Sequence, residues 1–296
     1  MPHPALFRVP APLAALMLIL AVLVLPARAR AWDQEADKLV ARLAYERLDP
    51  PAKAKVDALL GAGAGGFKVA KTPCEAASLA DGASLAVCLK DRRGADFMHN
   101  VVYDPLPICA VPPTKPPCAD GRCASTALKL NIAVLKDPAA PSDAKALALM
   151  ATAYLVSELH QPLHTADNND RSGDRVRVTL PGTGNRKVSL YSVWDEDMPV
   201  SAIGDAETGL PYVRALAAVH GAEWAKGDVD SWVAETHQLA VSVVYGRLPK
   251  PPACRRLPDD VEALDRGYFG AALPLVRQQL AKAGVRLAAV LNAALD

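Results

Sequence analysis

Residues 153–174 read AYLVSELHQPLHTADNNDRSGD. An Ala/Leu run at helical spacing leads into two histidines, His160 and His164, around a Gln-Pro-Leu spacer. Glu158 lies just before them, and an acidic, turn-rich loop follows. Imidazole nitrogens and carboxylate oxygens this close in sequence are the donors that a metal site requires. Tyr154 stands one helical turn before Glu158, where a further imidazole would extend the set. Glu158 and His164 can share one side of the chain if it continues or bends at Pro162, because proline cannot sustain a regular helix. The loop DNNDRSGD suggests calcium. It fails the EF-hand pattern, since its Gly is misplaced and no Glu stands at the twelfth position counted from Asp167. The favoured reading is a solvated loop before a hairpin.

Outward from this stretch, helical periodicity dominates. DQEADKLVARLAYERL sets Leu39, Leu43 and Leu48 near one face. SDAKALALMATAYLVSELH is a long helix for which Ser142 or Asp143 would serve as cap. VDSWVAETHQLAVSVVYG and AALPLVRQQLAKAGVRLAAVLNAALD read as two more helices, joined through the Pro-rich LPKPPACRRLPDD. A second Pro-rich stretch, YDPLPICAVPPTKPPCADGRC, reads as a surface loop. Strand signal is confined to DRVRVTLPGTGNRKVSLYSVW, two alternating runs about a Gly turn. The expected fold is one mainly α domain with one small β-hairpin.

The N-terminus carries a different message. His3 and Arg8 precede an apolar run from about Leu13 to Leu25, followed by Ala29-Arg30-Ala31. This is the pattern of a secretory signal with an A-x-A cleavage site. The apolar run is shorter than the ~20 residues of a spanning helix. Residues 1–31 are thus expected to be removed, leaving Trp32 first in a mature domain of residues 32–296. A periplasmic or secreted monomer without stable membrane insertion follows. The chain has a formal net charge of +1, so no global positive field draws it to nucleic acid, and such a partner would need a local site. Six cysteines in an exported chain suggest disulfides. Cys118 and Cys123 bracket a turn-rich ADGR and are expected to pair, while spacing leaves Cys74, Cys88, Cys109 and Cys254 open.

From Trp32 onward, the ordered markers LADGAS, MHNVVY, ELHQPLH and SVWD resemble the secreted, single-strand-specific zinc nucleases of fungi, plants and bacteria. These share the bacterial phospholipase C fold. The resemblance implies an almost entirely helical domain with three zinc ions, a metal-bound hydroxide as nucleophile, and single-stranded nucleic acid or nucleotides as substrate.

Transferred position by position, the resemblance gives Trp32 the role of a ligand through its α-amine and carbonyl. Asp37 replaces a family histidine, and Asp81 matches an aspartate ligand. Ser84 stands where the family commonly has a phosphate-binding Arg. His99 matches a histidine ligand, followed by Asn100 where an aromatic base-stacking residue is frequent. Tyr154 stands in place of a histidine, and Glu158 in place of the bridging aspartate. His164 matches a further histidine, Tyr191 replaces another, and Asp195 keeps an aspartate. The implied roles put His99, Asp81 and Glu158 on one metal, Trp32 and Asp37 on its neighbour, and His164 with Asp195 on a more separate one. Glu158 and Asp81 are the candidate catalytic carboxylates.

Oxygen donors persist where imidazoles disappear. A phenol with a pKa of about 10 is a poor zinc ligand at neutral pH. One interpretation is a remodelled, oxygen-rich site preferring manganese, magnesium or calcium over zinc. The other is a site without metal, in which the hydroxyls of Tyr154 and Tyr191 approach Glu158 and Asp195, each four residues further on. The implied function is a metal-dependent phosphodiesterase. Its alternatives are a catalytically inactive binding or scaffold protein and a phospholipase-like phosphoesterase.

Overall fold

A computed structural model describes residues 34–61, 67–68, 75–90, 101–109, 122–258 and 260–296, without the side chains of 67–68 and 85–90. The expected signal segment, Trp32, His99, Asn100, Cys74 and Cys118 lie outside the described residues, as does the side chain of Cys88.

The helices follow the apolar periodicity. Helix α1 (Gln34–Glu46) buries Leu39, Leu43 and the alanines between them. Short α2 (Pro50–Leu59) and α3 (Leu79–Lys90) follow it. Helix α4 (Ala124–Lys136) packs on α5 (Ser142–Glu158), which carries the opening stretch. After the strands come the short α6 (Leu190–Ser192) and α7 (Met198–Ile203), then α8 (Ala206–Trp224), α9 (Val229–Leu239) and the long α10 (Arg266–Ala294). Helix α1 lies against α10, α3 and α8, so it is central to the packing. Gly284 allows this closeness: a Cβ there would stand 2.7 Å from Leu43 Cδ2. Among the described residues, Trp194 and Tyr245 are the largest fully buried side chains.

Strands are short. β1 (Phe67–Lys68) pairs antiparallel with β2 (Glu75–Ala76). β3 (Leu106–Pro107) pairs in parallel with β4 (Ala166–Asp167), tying the start of one Pro-rich stretch to the chain just after His164. The expected hairpin is β5 (Arg177–Thr179) with β6 (Lys187–Ser189). It gains a third strand, β7 (Glu262–Ala263), parallel to β5 and drawn from the second Pro-rich connection.

Three local expectations change. Helix α5 has Pro141, not Ser142 or Asp143, at its N-cap, because the extended backbone of Pro141 leads directly into Ser142 as first helical residue. Helix α10 begins before Ala271, at Arg266, where the Asp265 side chain accepts from the Tyr268 amide. The third change is the loop of residues 167–174, which is not a solvated turn. Asn168 and Asp170 are 1% and 0% exposed. Asp170 Oδ1 accepts from the Gly173 amide at 2.9 Å and the Tyr245 hydroxyl at 3.1 Å. The Asn168 side chain holds three backbone groups of residues 253–256. Asn169, Arg171 and Ser172 adopt positive φ, a conformation kept here by these bonds. A disulfide joins Cys109 to Cys254, so both Pro-rich stretches are anchored on this loop. Cys123 is also disulfide-bonded, to a cysteine outside the described side chains.

Candidate active site

Glu158 closes α5, and the chain then turns through a 3₁₀ segment, Pro162–Thr165. The Gln161 side chain makes that turn, accepting from the Leu163 amide at 2.5 Å. Proline at the start of the segment fixes the geometry without needing a donor. His164 is thereby swung back toward Glu158. From outside, Gln279 donates to the His160 carbonyl, and the His237 ring bonds the Thr165 carbonyl at 2.9 Å.

His164 is 1% exposed and lies between two carboxylates. Its Nδ1 is 2.7 Å from Glu158 Oε2, a close ion-pair contact without hydrogen-bond alignment. Its Nε2 is 3.5 Å from Asp195 Oδ1 and 3.2 Å from the Tyr191 hydroxyl. Burial alone would lower the pKa of this imidazole. Glu158 and Asp195 outweigh that penalty and push it up to about 9, so the ring is an imidazolium at neutral pH.

Asp195 reaches this position through a local irregularity. Val193–Asp197 forms a π-helical turn, the wide winding that recurs at functional sites. Gln161 Nε2 donates to Asp195 Oδ1 at 3.2 Å, while Asp195 Oδ2 is buried without a hydrogen-bond partner. Tyr191 precedes the same turn. Its hydroxyl does not bond Asp195 as the four-residue spacing suggests. It meets His164 instead and shares a 3.1 Å hydrogen bond with the Tyr103 hydroxyl. The π-turn changes the angular phase between positions 191 and 195, so an α-helical spacing rule does not carry across it.

Tyr103 was singled out by neither spacing nor motif, although it closes the MHNVVY run. The Asp104 amide donates to the His164 carbonyl at 2.7 Å, and the Asp104 carboxylate is held by Ser125. That strap sets the Tyr103 ring edge-on to His164 at 4.8 Å, while Tyr191 stacks on it at 5.8 Å. Burial pushes the Tyr103 phenol up to about 12. Burial and the surrounding carboxylates also raise Tyr191 and Tyr154, so all three phenols stay neutral. The charges of Glu158, Asp37 and Asp195 all act on Tyr154, placing the buried Asp37 in the same electrostatic neighbourhood.

Asp81 behaves differently. It is exposed in the first turn of α3, where Oδ2 accepts from Ser78 Oγ at 2.7 Å and from the Ala77 amide at 3.3 Å. Ser84 bonds carbonyls of its own helix. The structure thus brings together Glu158, His164 and Asp195, with Tyr154, Tyr191 and Asp37 around them. Asp81 has its recorded bonds in its own turn. Trp32 and His99 fall outside the described residues.

Three zinc ions do not fit the donors found among the described residues. Neutral phenols occupy two ligand positions, and both nitrogens of His164 face carboxylates. Among the described residues, no group of three or more His, Cys, Asp or Glu side chains is placed to hold a metal ion. A single cation fits better, because Asp195 Oδ2 is a buried anionic oxygen left without a donor. Also among the described residues, no helix is long and apolar enough to cross a membrane.

Comparison with known proteins gives one family match: the model described as S1/P1 nuclease covers residues 32–296. Endonuclease 2 of Arabidopsis thaliana is 33% identical over 152 residues, which is 49% of this chain and 50% of that protein. Endonuclease 5 of the same plant is 33% identical over 151 residues, again 49% and 50% of the two chains. Nuclease S1 of Aspergillus oryzae is 26% identical over 187 residues, 59% of this chain and 63% of that one. The chain therefore spans about half the length of the Arabidopsis relatives it matches.

Proposed function

The chain belongs to the S1/P1 nuclease family, and on that premise we propose that it hydrolyses phosphodiester bonds of single-stranded nucleic acid or nucleotides. We place it in the periplasm or outside the cell, after removal of residues 1–31, with residues 32–296 as one domain.

The observation that carries this reading is Asp195, a fully buried carboxylate with one oxygen lacking a hydrogen-bond donor. A buried anion left so is costly unless a cation meets it. Asp195, with the buried Asp37 acting on the same Tyr154, would hold that cation. Oxygen donors favour manganese, magnesium or calcium beside zinc. Such a cation supplies charge neutralisation and an activated water when bound.

The chain's own residues do the rest. Gln161 and His164 orient Asp195. The His164 imidazolium offsets Glu158 and keeps positive charge in the site, where phosphoryl transfer adds negative charge. His164 is buried, so it is a positioning residue. The half-buried Tyr103 donates its hydroxyl to Tyr191 and lines the site beside His164.

A second reading has one specific observation behind it. Both nitrogens of His164 are already met by protein groups, as in a site that has exchanged metal for an organic cation. That would be a non-enzymatic binding protein. Elemental analysis and turnover of single-stranded DNA and RNA separate the two. The mature protein, purified without chelator and offered zinc and manganese, is expected to hold stoichiometric metal and to turn over substrate. Asp195→Asn is expected to lose both with an unchanged circular dichroism spectrum. Absence of both metal and turnover in the parent protein overturns the enzyme reading in favour of the second.

A further inference from the structure

The net charge of +1 conceals an uneven surface. On the helical side, some exposed cations are matched, Arg42 with Glu207, Arg214 with Glu46, and Lys129 with Asp230, while the scattered Arg47, Lys136, Lys226 and Arg266 have no ion pair among the described residues. On the small β-sheet such cations are gathered together. Arg171, Arg175, Arg177 and Lys187 are exposed, and none forms an ion pair among the described residues.

Their arrangement follows from strand alternation. Val176 and Val178 point into the core, so Arg175 and Arg177 take the solvent side. Thr179 pairs with Lys187 and Arg177 with Ser189. Arg177 and Lys187 are therefore diagonal neighbours on one face, about 7 Å apart. Arg255 and Arg256 are also exposed and join this surface through Asn168, which binds the Arg255 amide and the Arg256 carbonyl. Of the carboxylates nearby, Asp170 and Glu262 are buried, Asp260 pairs with Lys250, the half-buried Asp167 accepts from the Asp170 and Ser172 amides, Asp265 caps α10, and Asp174 is exposed.

The basic strip adjoins the candidate active site. The Tyr191 amide donates to the Gly173 carbonyl, and the Leu190 amide to the Val176 carbonyl. The charge of Asp174 acts on Tyr103. A polyanion engaged at Tyr103 would thus meet the strip within a few residues.

We infer that this strip binds the phosphate backbone of a single strand that extends from the active site. The inference rests on the proposed nucleic-acid function and extends it. Unpaired Arg forks take phosphate oxygens in bidentate fashion without reading bases, so the strip sets a preference for length and not for sequence. Chains of many nucleotides then bind more tightly than dinucleotides, and that advantage is salt-sensitive.

The test uses the mature protein with chelator present, so that binding is read without turnover. Affinities for a long oligothymidylate and for a thymidine dinucleotide are measured by fluorescence anisotropy over a range of salt. The combined variant Arg175→Gln, Arg177→Gln, Lys187→Gln removes three cations. The slope of log affinity against log salt for the long strand is expected to flatten by about 2, at roughly 0.7 per phosphate contact. Dinucleotide affinity is expected to be unchanged. Arg175→Lys with Arg177→Lys keeps charge and is expected to keep the slope, which separates charge from folding. An unchanged slope in the Gln variant, or equal affinity for long and short ligands in the parent, overturns the inference. So does binding to phosphatidylglycerol vesicles that the Gln variant loses while its oligonucleotide binding is intact, since the strip would then face a membrane. Long-strand binding with the expected slope change, but no hydrolysis of any substrate with metal restored, leaves the strip standing and refutes the nuclease reading.

Discussion

Replacing Asn168 with alanine removes three hydrogen bonds at once. Its Nδ2 donates to the carbonyls of Ala253 at 3.1 Å and Arg256 at 3.0 Å, and its Oδ1 accepts from the Arg255 amide at 2.6 Å. Each such bond contributes about 1 kcal/mol net. Ala253 and Arg256 are exposed residues, so their freed carbonyls can turn to water. The expected loss is therefore about 3 kcal/mol, without a large extra penalty for unsatisfied groups. Aspartate at the same position is a sharper test. It keeps the acceptor for Arg255 but loses both donors and sets a charge beside the buried Asp170, whose carboxyl burial already raises. Asn168→Asp should cost more than Asn168→Ala at pH 7, and the gap should close as acid protonates the new carboxyl. Urea denaturation across that pH range gives both quantities. A loss under about 0.5 kcal/mol for the alanine variant, or an aspartate variant more stable than the alanine one at neutral pH, would refute the view of this loop as a structural knot.

Two further outcomes rest on other contacts. Burial, with Arg286 beside it, lowers the pKa of His160 to about 3, so the ring is neutral in the fold and accepts from Arg286 at Nε2. A base with a depressed folded pKa contributes its full stability above the unfolded value of about 6.5 and loses it as pH falls toward the folded one. Between pH 7 and 5 the parent protein should lose about 2 kcal/mol more than His160→Gln, which cannot titrate. Equal losses in urea melts would contradict this. Gly284→Ala sets a methyl 2.7 Å from Leu43 Cδ2 and 2.9 Å from its Cβ, between two packed helices. Overpacking there should cost about 1–3 kcal/mol and lower the thermal midpoint. An unchanged midpoint would show that α1 and α10 can separate without cost.

The site was partly visible in the order of residues. Glu158, His164 and Asp195 stood out by type and motif, and the structure gathers them. Tyr103 was written in the MHNVVY run, yet its role depends on Asp104 bonding the His164 carbonyl, a contact with no sequence pattern. Gln161 looked like spacer and turns out to shape the 3₁₀ turn and hold Asp195. Tyr191 fits no α-helical rule because a π-turn intervenes. The acidic loop looked solvated because its composition is polar. Its burial depends on partners far along the chain, Tyr245 and residues 253–256.

Apolar periodicity, caps and the spacing of turn residues act over a few residues, so by themselves they determined α1, α5, α9 and most of α10, the hairpin and the mainly α class, while α2, α3, α4 and α8 emerged only in the structure. The marker order from Trp32 to Asp195 determined the family. Pairing of Cys109 with Cys254, the third strand of the sheet and the facing of His164 to two carboxylates were decided only in three dimensions. These join residues that are distant in sequence, and their geometry depends on how packed helices bring chain segments together. The charge state of His164 follows from that same packing, since burial and two carboxylates pull its pKa in opposite directions and only their distances decide the outcome.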